Sequence, residues 1–372
     1  MRNFITLFIL LLCYACESYD VEGTLASAED NRIELEKVLN HYAKEKPDKE
    51  KLKAAKFLIA NMRWHQSIID TTSHAILDSI IQQADSTLYI LAQTSSIDSF
   101  NTAKYITRIW SSRIKFKINT DVKQKNLPIS ENSQVKYDHQ WITANQLISH
   151  IDFIFSVREQ STNLKKLSFD DFCEYVLPYR ASSDKMIIDF PEKYTKIYNK
   201  YLKLIPQDSL QKILNQFGAT TCYLHYSFTI DNWKTEYQGG LYNHLFKSVP
   251  DCFEESNSAV ATMRSYGIPI TIEYNTYKKF QGKHSRCSLL DKEGNWQRFS
   301  TVLPRFNAED SIFLMSKGTM NYYRCTFSAQ SNTPPFLRNK GEFIPEEFES
   351  PCIKDITPEL MKTISLTLPF KT

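Results

Sequence analysis

Pro250-Asp251-Cys252-Phe253-Glu254-Glu255-Ser256, running on to Met263-Arg264-Ser265-Tyr266-Gly267-Ile268-Pro269, decides how this chain is read. Asp251 suits a helix N-cap. Glu254 follows three residues later and completes a capping-box-like pair. Cys252, Ser256, Ala259, Val260 and Met263 then recur on one face of a helix running from about Asp251 to Tyr266. Gly267 fits the position just past the helix end, and a strand over Ile268 to Tyr274 follows. A cysteine on the first turn of a helix feels the positive end of the macrodipole, which favours thiolate. His284 falls on the next predicted strand, roughly Lys283 to Leu290. An imidazole beside such a thiol completes a nucleophile.

Working outward, Asp291-Lys292-Glu293-Gly294-Asn295 reads as a turn, and Trp296 to Val302 as a returning strand. Upstream, residues 29–110 read as helices. Asn31 to Ala43 carries apolar residues at helical spacing, Pro47 breaks it, and Asp48 caps Lys51 to Met62. Two or three further helices follow through Ile76 to Leu91 and Asn101 to Arg113, then a polar loop over Leu127 to Tyr137 and a helix over Trp141 to Phe155. Ser168 starts another helix, stopped by Leu177-Pro178-Tyr179-Arg180. Cys222 to Ile230 reads as extended and Tyr242 to Lys247 as a short amphipathic piece. The fold class expected is therefore α+β: a helical N-terminal domain, then a nucleophile helix packed on antiparallel strands.

Composition narrows the function. The 372 residues are 42% hydrophobic and 13% aromatic, enough for a substantial core, and the net charge is only +3. A near-neutral balance gives no electrostatic case for nucleic acid. Lys44 to Lys56 is basic but interleaved with Glu45, Asp48 and Glu50, as on a solvated helix face. Arg2 and the short apolar run Phe4 to Leu12 form a targeting segment, too short to span a bilayer. The run ends at Ala15-Cys16, which resembles the bacterial lipoprotein cleavage box. That resemblance implies removal of residues 1–15, lipidation at Cys16, a tether over 16–28 containing Glu17, Asp20 and Glu22, and membrane attachment on the cell envelope, outer membrane included.

Six cysteines follow Cys16: Cys173, Cys222, Cys252, Cys287, Cys325 and Cys352. Their wide, irregular spacing excludes a structural zinc pattern and leaves room for one or two disulfides that spacing cannot assign. His41, His65, His74, His139, His150, His225 and His244 show no ligand spacing, so no metal and no cofactor is expected.

Together, Leu52 to Met62, Phe172-Cys173-Glu174-Tyr175-Val176-Leu177-Pro178-Tyr179-Arg180, Asp251-Cys252 with Arg264 to Pro269, and His284-Ser285 resemble the transglutaminase-like superfamily, and most closely exported bacterial lipoproteins bearing that domain. The resemblance covers roughly residues 30–330. It implies a transglutaminase-like or papain-like core over 165–330, behind a helical domain over 29–164, with 331–372 as a tail. It also implies Cys252 as nucleophile and His284 as base. Relatives place an acid a few residues after a Trp on the strand following the histidine. Here Trp296-Gln297-Arg298-Phe299-Ser300-Thr301 holds no carboxylate, so Ser300, Thr301 and the turn residue Asp291 are the candidates for a third member. Arg286 stands where relatives tend to carry an aromatic. Arg180, Tyr179, Asp251 and Arg286 are candidates to line the cleft, although Arg180 and Tyr179 fit equally a buried lock between domains. Two functions follow as expectations. One is thiol-dependent amide or ester hydrolysis or acyl transfer; the other is a non-catalytic surface module binding peptide, glycan or a partner lipoprotein. Pro334-Pro335 and Pro345 read as a linker, and Ile364 to Pro369 as a terminal strand.

Overall fold

The computed structural model describes residues 19–70, 133–198, 238–240, 251–276, 283–299 and 321–361. Cys16, Cys222, Ser300, Thr301, the helices expected through Ile76 to Leu91 and Asn101 to Arg113, the pieces around Cys222 to Lys247 and the terminal strand lie outside them. Within them the chain is α+β: N-terminal helices, then a helix packed on a five-stranded antiparallel sheet.

The N-terminal helices are α1 (Val21–Ser27), α2 (Arg32–Asn40), α3 (Lys49–Met62), α4 (Ala144–Gln160) and α5 (Phe169–Tyr175). Their starts are written in the sequence. Asp48, Thr143 and Ser168 each cap the next helix by accepting a backbone N–H from Lys51, Gln146 and Asp171. Leu35, Leu58, Leu147, Ile151 and Phe172 project from four of these helices into one core.

Three expectations fail here. Residues 21–27 of the expected tether are helix α1, with Leu25 buried in the core. Gln66 to Asp70 is strand β1 (Gln66–Asp70), not helix, and the polar stretch ending at Tyr137 holds strand β2 (Ser133–Tyr137), not a loop. The two pair antiparallel from Gln66↔Tyr137 to Asp70↔Ser133. β2 is an edge strand with nearly all its side chains exposed, so no apolar alternation marked it. β1 also pairs in parallel with β3 (Met186–Ile187), which pairs with β4 (Gln238–Gly239). Helix α6 (Pro191–Tyr198) follows β3.

Helix α7 (Cys252–Ser265) leads into β5 (Ile270–Thr276), β6 (Lys283–Leu290), β7 (Trp296–Phe299), β8 (Asn321–Cys325) and β9 (Ile353–Asp355), in the order β7-β6-β5-β8-β9. β9 and the short α8 (Thr357–Leu360) come from the expected tail, and Pro334–Leu337 is one helical turn rather than linker. Ile270, Ile272 and Tyr274 pair with Leu289, Cys287 and Ser285 and share the face that α7 covers. Contact is made by Phe253 with Tyr274 (5.7 Å between rings) and by Ser256 with Ser285 (Oγ to Oγ 3.1 Å).

Arg264 ties this unit to the helices. Its buried guanidinium donates to the carbonyls of Tyr175 (3.0 Å), Arg180 (2.7 Å) and Ile270 (2.9 Å). Gly267 ends α7 with φ +74°, while Gly267 N donates to Arg264 O (2.8 Å) and Ile268 N to Met263 O (3.0 Å). A Cβ there would come within 2.6 Å of Leu164 Cδ1 and 2.7 Å of Val157 Cγ1. Gly267→Ala combines left-handed strain with overpacking and should lower stability by about 2 kcal/mol. Urea unfolding checks this; an unchanged midpoint would contradict it.

Candidate active site

Asp251 fixes where α7 begins. Its carboxylate accepts from Glu254 N (2.9 Å), and Glu254 Oε2 accepts from Asp251 N (3.0 Å). This full capping box places Cys252 first in the helix. Glu255 N turns to Asp251 O (3.0 Å), so the amides of Cys252 and Phe253 are the first-turn donors not consumed by the cap. Asp251 is thus a cap, and the cleft role expected for it rests on its position alone.

Cys252 is half-buried, and four influences from β6 act on its sulfur. Burial alone pushes the thiol up. Hydrogen bonds from His284, from the Ser285 side chain and from the Ser285 backbone, with the charge of His284, outweigh it and hold the thiol below its ordinary value. Neighbouring residues of a strand point to opposite faces, yet both His284 and Ser285 reach this sulfur. The thiol therefore lies beside the strand backbone near the start of β6. Ser256 supports it from below: its hydroxyl donates to Cys252 O (2.7 Å) and meets Ser285 Oγ (3.1 Å). The predicted pair is brought together, with Ser285 and Ser256 as members that sequence spacing did not single out.

The third member is different. Asp291 is seven residues beyond His284, about 23 Å along an extended strand. Its carboxylate accepts from Glu293 N (3.0 Å), Asn295 N (2.8 Å) and Gln297 Nε2 (3.2 Å), which makes it the organiser of the β6–β7 turn. It does not hold the imidazole. Asn275 is the residue directly across from His284 in the β5–β6 register, and it is buried. Directly opposed side chains share a face with Cβ atoms about 5 Å apart. No spacing rule could have named Asn275, because it depends on the register of two strands.

Arg286 does not face the thiol as a free cation. It lies opposite Glu273 and donates to its carboxylate (3.3 Å). Tyr179 and Arg180 form the lock that was one of their two expected roles. Arg180 donates to Asp138 Oδ2 (2.7 Å), Ser182 O (2.7 Å), Gln66 O (2.9 Å) and Asp184 O (2.7 Å), and Tyr179 Oη donates to the same Asp138 oxygen (2.8 Å). They also line a cavity of about 20 Å³ with Met186, Asp189, Asn257 and Ser258. Asn257 and Ser258 occupy the side of α7 turned away from Cys252, so the thiol does not open into this cavity.

Cys173, Cys252, Cys287, Cys325 and Cys352 are all free thiols. Burial raises Cys173, Cys287 and Cys352 far above the ordinary thiol range, in contrast to Cys252. Among the described residues, no group of three His, Cys, Asp or Glu is arranged to hold a metal, and no helix is long and apolar enough to cross a membrane. No family model, curated protein or solved structure matches the chain.

Proposed function

We propose that this is an exported, lipid-anchored protein with a transglutaminase-like domain, in which Cys252 and His284 act on an amide or ester carbonyl. One observation carries the reading: a half-buried thiol on the first residue of a capped helix, with His284 and Ser285 of the adjoining strand at its sulfur. In the reaction, His284 takes the Cys252 proton, the thiolate attacks the carbonyl carbon, and His284 passes that proton to the departing amine or alcohol as the carbonyl–heteroatom bond breaks. The N–H groups of Cys252 and Phe253 supply donors for the oxyanion that forms in between. Water, deprotonated by His284, then cleaves the thioester and regenerates the thiol; an amine in its place transfers the acyl group.

A second reading, a surface binding module for peptide or glycan, is favoured by one specific feature. The residue across from His284 is Asn275. An amide can orient an imidazole, but it does not stabilise imidazolium as a carboxylate does.

Alkylation separates an activated thiol from an inert one. Iodoacetamide at pH 7 should label Cys252 ahead of every buried thiol, and His284→Ala should slow that labelling about tenfold. Labelling of Cys252 at the rate of an ordinary exposed cysteine would reject the nucleophile. With the thiol activated, a nitrophenyl ester distinguishes the two readings. Burst release with an acyl group on Cys252 supports the enzyme; rapid alkylation without acylation supports the binding module.

A further inference from the structure

Three large apolar side chains lie in solvent on one short stretch: Phe336 (46% exposed), Leu337 (67%) and Phe343 (87%). Arg338, Lys340 and Glu342 are exposed between them, with the Glu342 carboxylate turned onto Asn339. The stretch is built rather than loose. Pro334–Leu337 is a helical turn, Gly341 takes φ +88°, and the Glu342 carboxylate accepts from both Asn339 N (2.7 Å) and Asn339 Nδ2 (3.0 Å). Ile344, immediately after it, is buried and pins its far end. Exposing two phenylalanines and a leucine together opposes the hydrophobic effect unless something covers them.

The start of the described chain arrives at the same place. Phe336 packs edge-on against Trp64 (5.3 Å between ring centres), and the Arg63 guanidinium lies over the Trp64 ring (4.9 Å). Arg63 pairs with Asp20 (2.8 Å), and Tyr19 packs against Phe57 (5.7 Å). Cys16 stands four residues before Asp20, at most about 14 Å of extended chain. A lipid on Cys16 would therefore enter its bilayer within about 14 Å of chain from Asp20, on the side of the molecule that carries Arg63, Trp64 and Phe336.

We propose that the 336–343 loop is the surface this protein lays on the bilayer that holds its anchor. Phe336, Leu337 and Phe343 enter the interfacial layer, and Arg338 and Lys340 meet headgroup phosphates. Apolar tips interleaved with cations suit that boundary, because long basic side chains reach water from partly buried stems. Membrane attachment through one anchor leaves orientation open; a second apolar contact beside it fixes which way the remaining surface, including the Cys252 thiol, faces. The inference rests on lipidation at Cys16 and is independent of whether Cys252 is catalytic.

The test uses the full chain with vesicles of phosphatidylethanolamine and phosphatidylglycerol. Phe343→Trp adds a reporter to the loop tip, and brominated lipid should quench the added emission in the lipidated protein. In a Cys16→Ser background, which removes the anchor, replacing Phe336, Leu337 and Phe343 together by serine should lower vesicle binding about tenfold or more. An unquenched reporter on vesicle-bound protein would overturn the proposal, and so would unchanged binding of the serine variant. Protection of the loop from labelling by a co-purifying protein, with no vesicles present, would also overturn it. The mass of the N-terminal peptide reports lipidation separately. An unmodified Cys16 removes the anchor and with it this assignment, whatever Cys252 does.

Discussion

Replacing Glu273 by glutamine should lower the free energy of unfolding by about 3–5 kcal/mol, the scale found when one partner of a buried ion pair is removed. Glu273 has no solvent exposure. Its carboxylate accepts from Arg324 Nη2 (2.7 Å) and Nε (3.1 Å), Arg298 Nε (2.8 Å) and Arg286 Nη2 (3.3 Å). Burial alone would raise this carboxyl; the three guanidiniums overcome that and hold it below the usual carboxylate range. Glutamine keeps the shape and removes the charge, leaving three cations gathered at a buried amide. Arg324 is the least able to escape, since it is nearly fully buried and its guanidinium lies 3.8 Å from the Trp296 ring centre. Glu359 contacts Arg324 (2.9 Å) but is itself part-exposed, so it offsets only some of the loss. Urea unfolding measures the effect, and a change below about 1 kcal/mol would show the cluster to be an ordinary surface ion-pair set. Combining the change with Arg298→Gln should recover part of the loss, because it removes one stranded cation.

Glu273 matters to the site as well as to stability. It stands on β5, and its three arginines stand on β6, β7 and β8. One side chain thus pins the relative register of four strands. A slip of one residue would turn every side chain of a strand to the other face. His284 precedes Arg286 by two residues on β6, so the register that seats Arg286 on Glu273 also sets His284 opposite Asn275. Slower alkylation of Cys252 in the Glu273→Gln protein, measured below its unfolding transition, is the corresponding local readout.

What could be read from sequence follows from the range of the interactions. Helix α7, its cap, its glycine stop and strand β6 are local: Asp251 bonds Glu254, and Gly267 bonds Arg264, three residues away in each case. The Cys252–His284 pairing was legible because one helix and one hairpin separate them. The Glu273 cluster was not, because its partners lie 13, 25 and 51 residues further on and meet only through strand register. Arg264 shows the same limit. Both it and the Tyr175 to Arg180 segment stood out in the sequence, yet spacing could not show that the arginine binds that segment's carbonyls. β2 was missed for a related reason: as an exposed edge strand it takes its structure from its neighbour β1, and its own side chains leave no periodic trace.

Acidification from pH 7 to pH 4 should destabilise the protein by several kcal/mol, through two histidines buried without charge. His65 has no solvent exposure, stacks on Phe327 (4.5 Å) and faces the Phe327 carbonyl with Nε2 (2.9 Å). His150 is equally buried, with Nε2 at 2.6 Å from Leu177 O. A carbonyl only accepts, so Nε2 carries the proton in both rings. Burial is the main cause that pushes His65 down to about 3 and His150 to about 4, and the charges of Arg180 and Arg264 act in the same direction. In the unfolded chain both rings titrate near 6.5. The folded affinity for protons is thus the lower one, and the stabilisation is fully present above pH 6.5. As pH falls below that value the unfolded chain takes up protons that the native state refuses, and each histidine removes about 1.4 kcal/mol per pH unit. The loss levels off near pH 4 for His150 and near pH 3 for His65. Buried Glu174, raised chiefly by burial, works the other way, because a native carboxyl that prefers its proton gains stability on acidification. Buried His139, also held down by burial, and Glu273, held down by its arginines, act with the two histidines against this one group, so the net slope is downward. His150→Gln, which retains an N–H donor for Leu177 O, should remove about half of the loss between pH 6.5 and 4 relative to its own value at pH 7. Urea midpoints taken at each pH decide the matter; a profile equally steep in the variant would mean that this ring is protonated in the native protein.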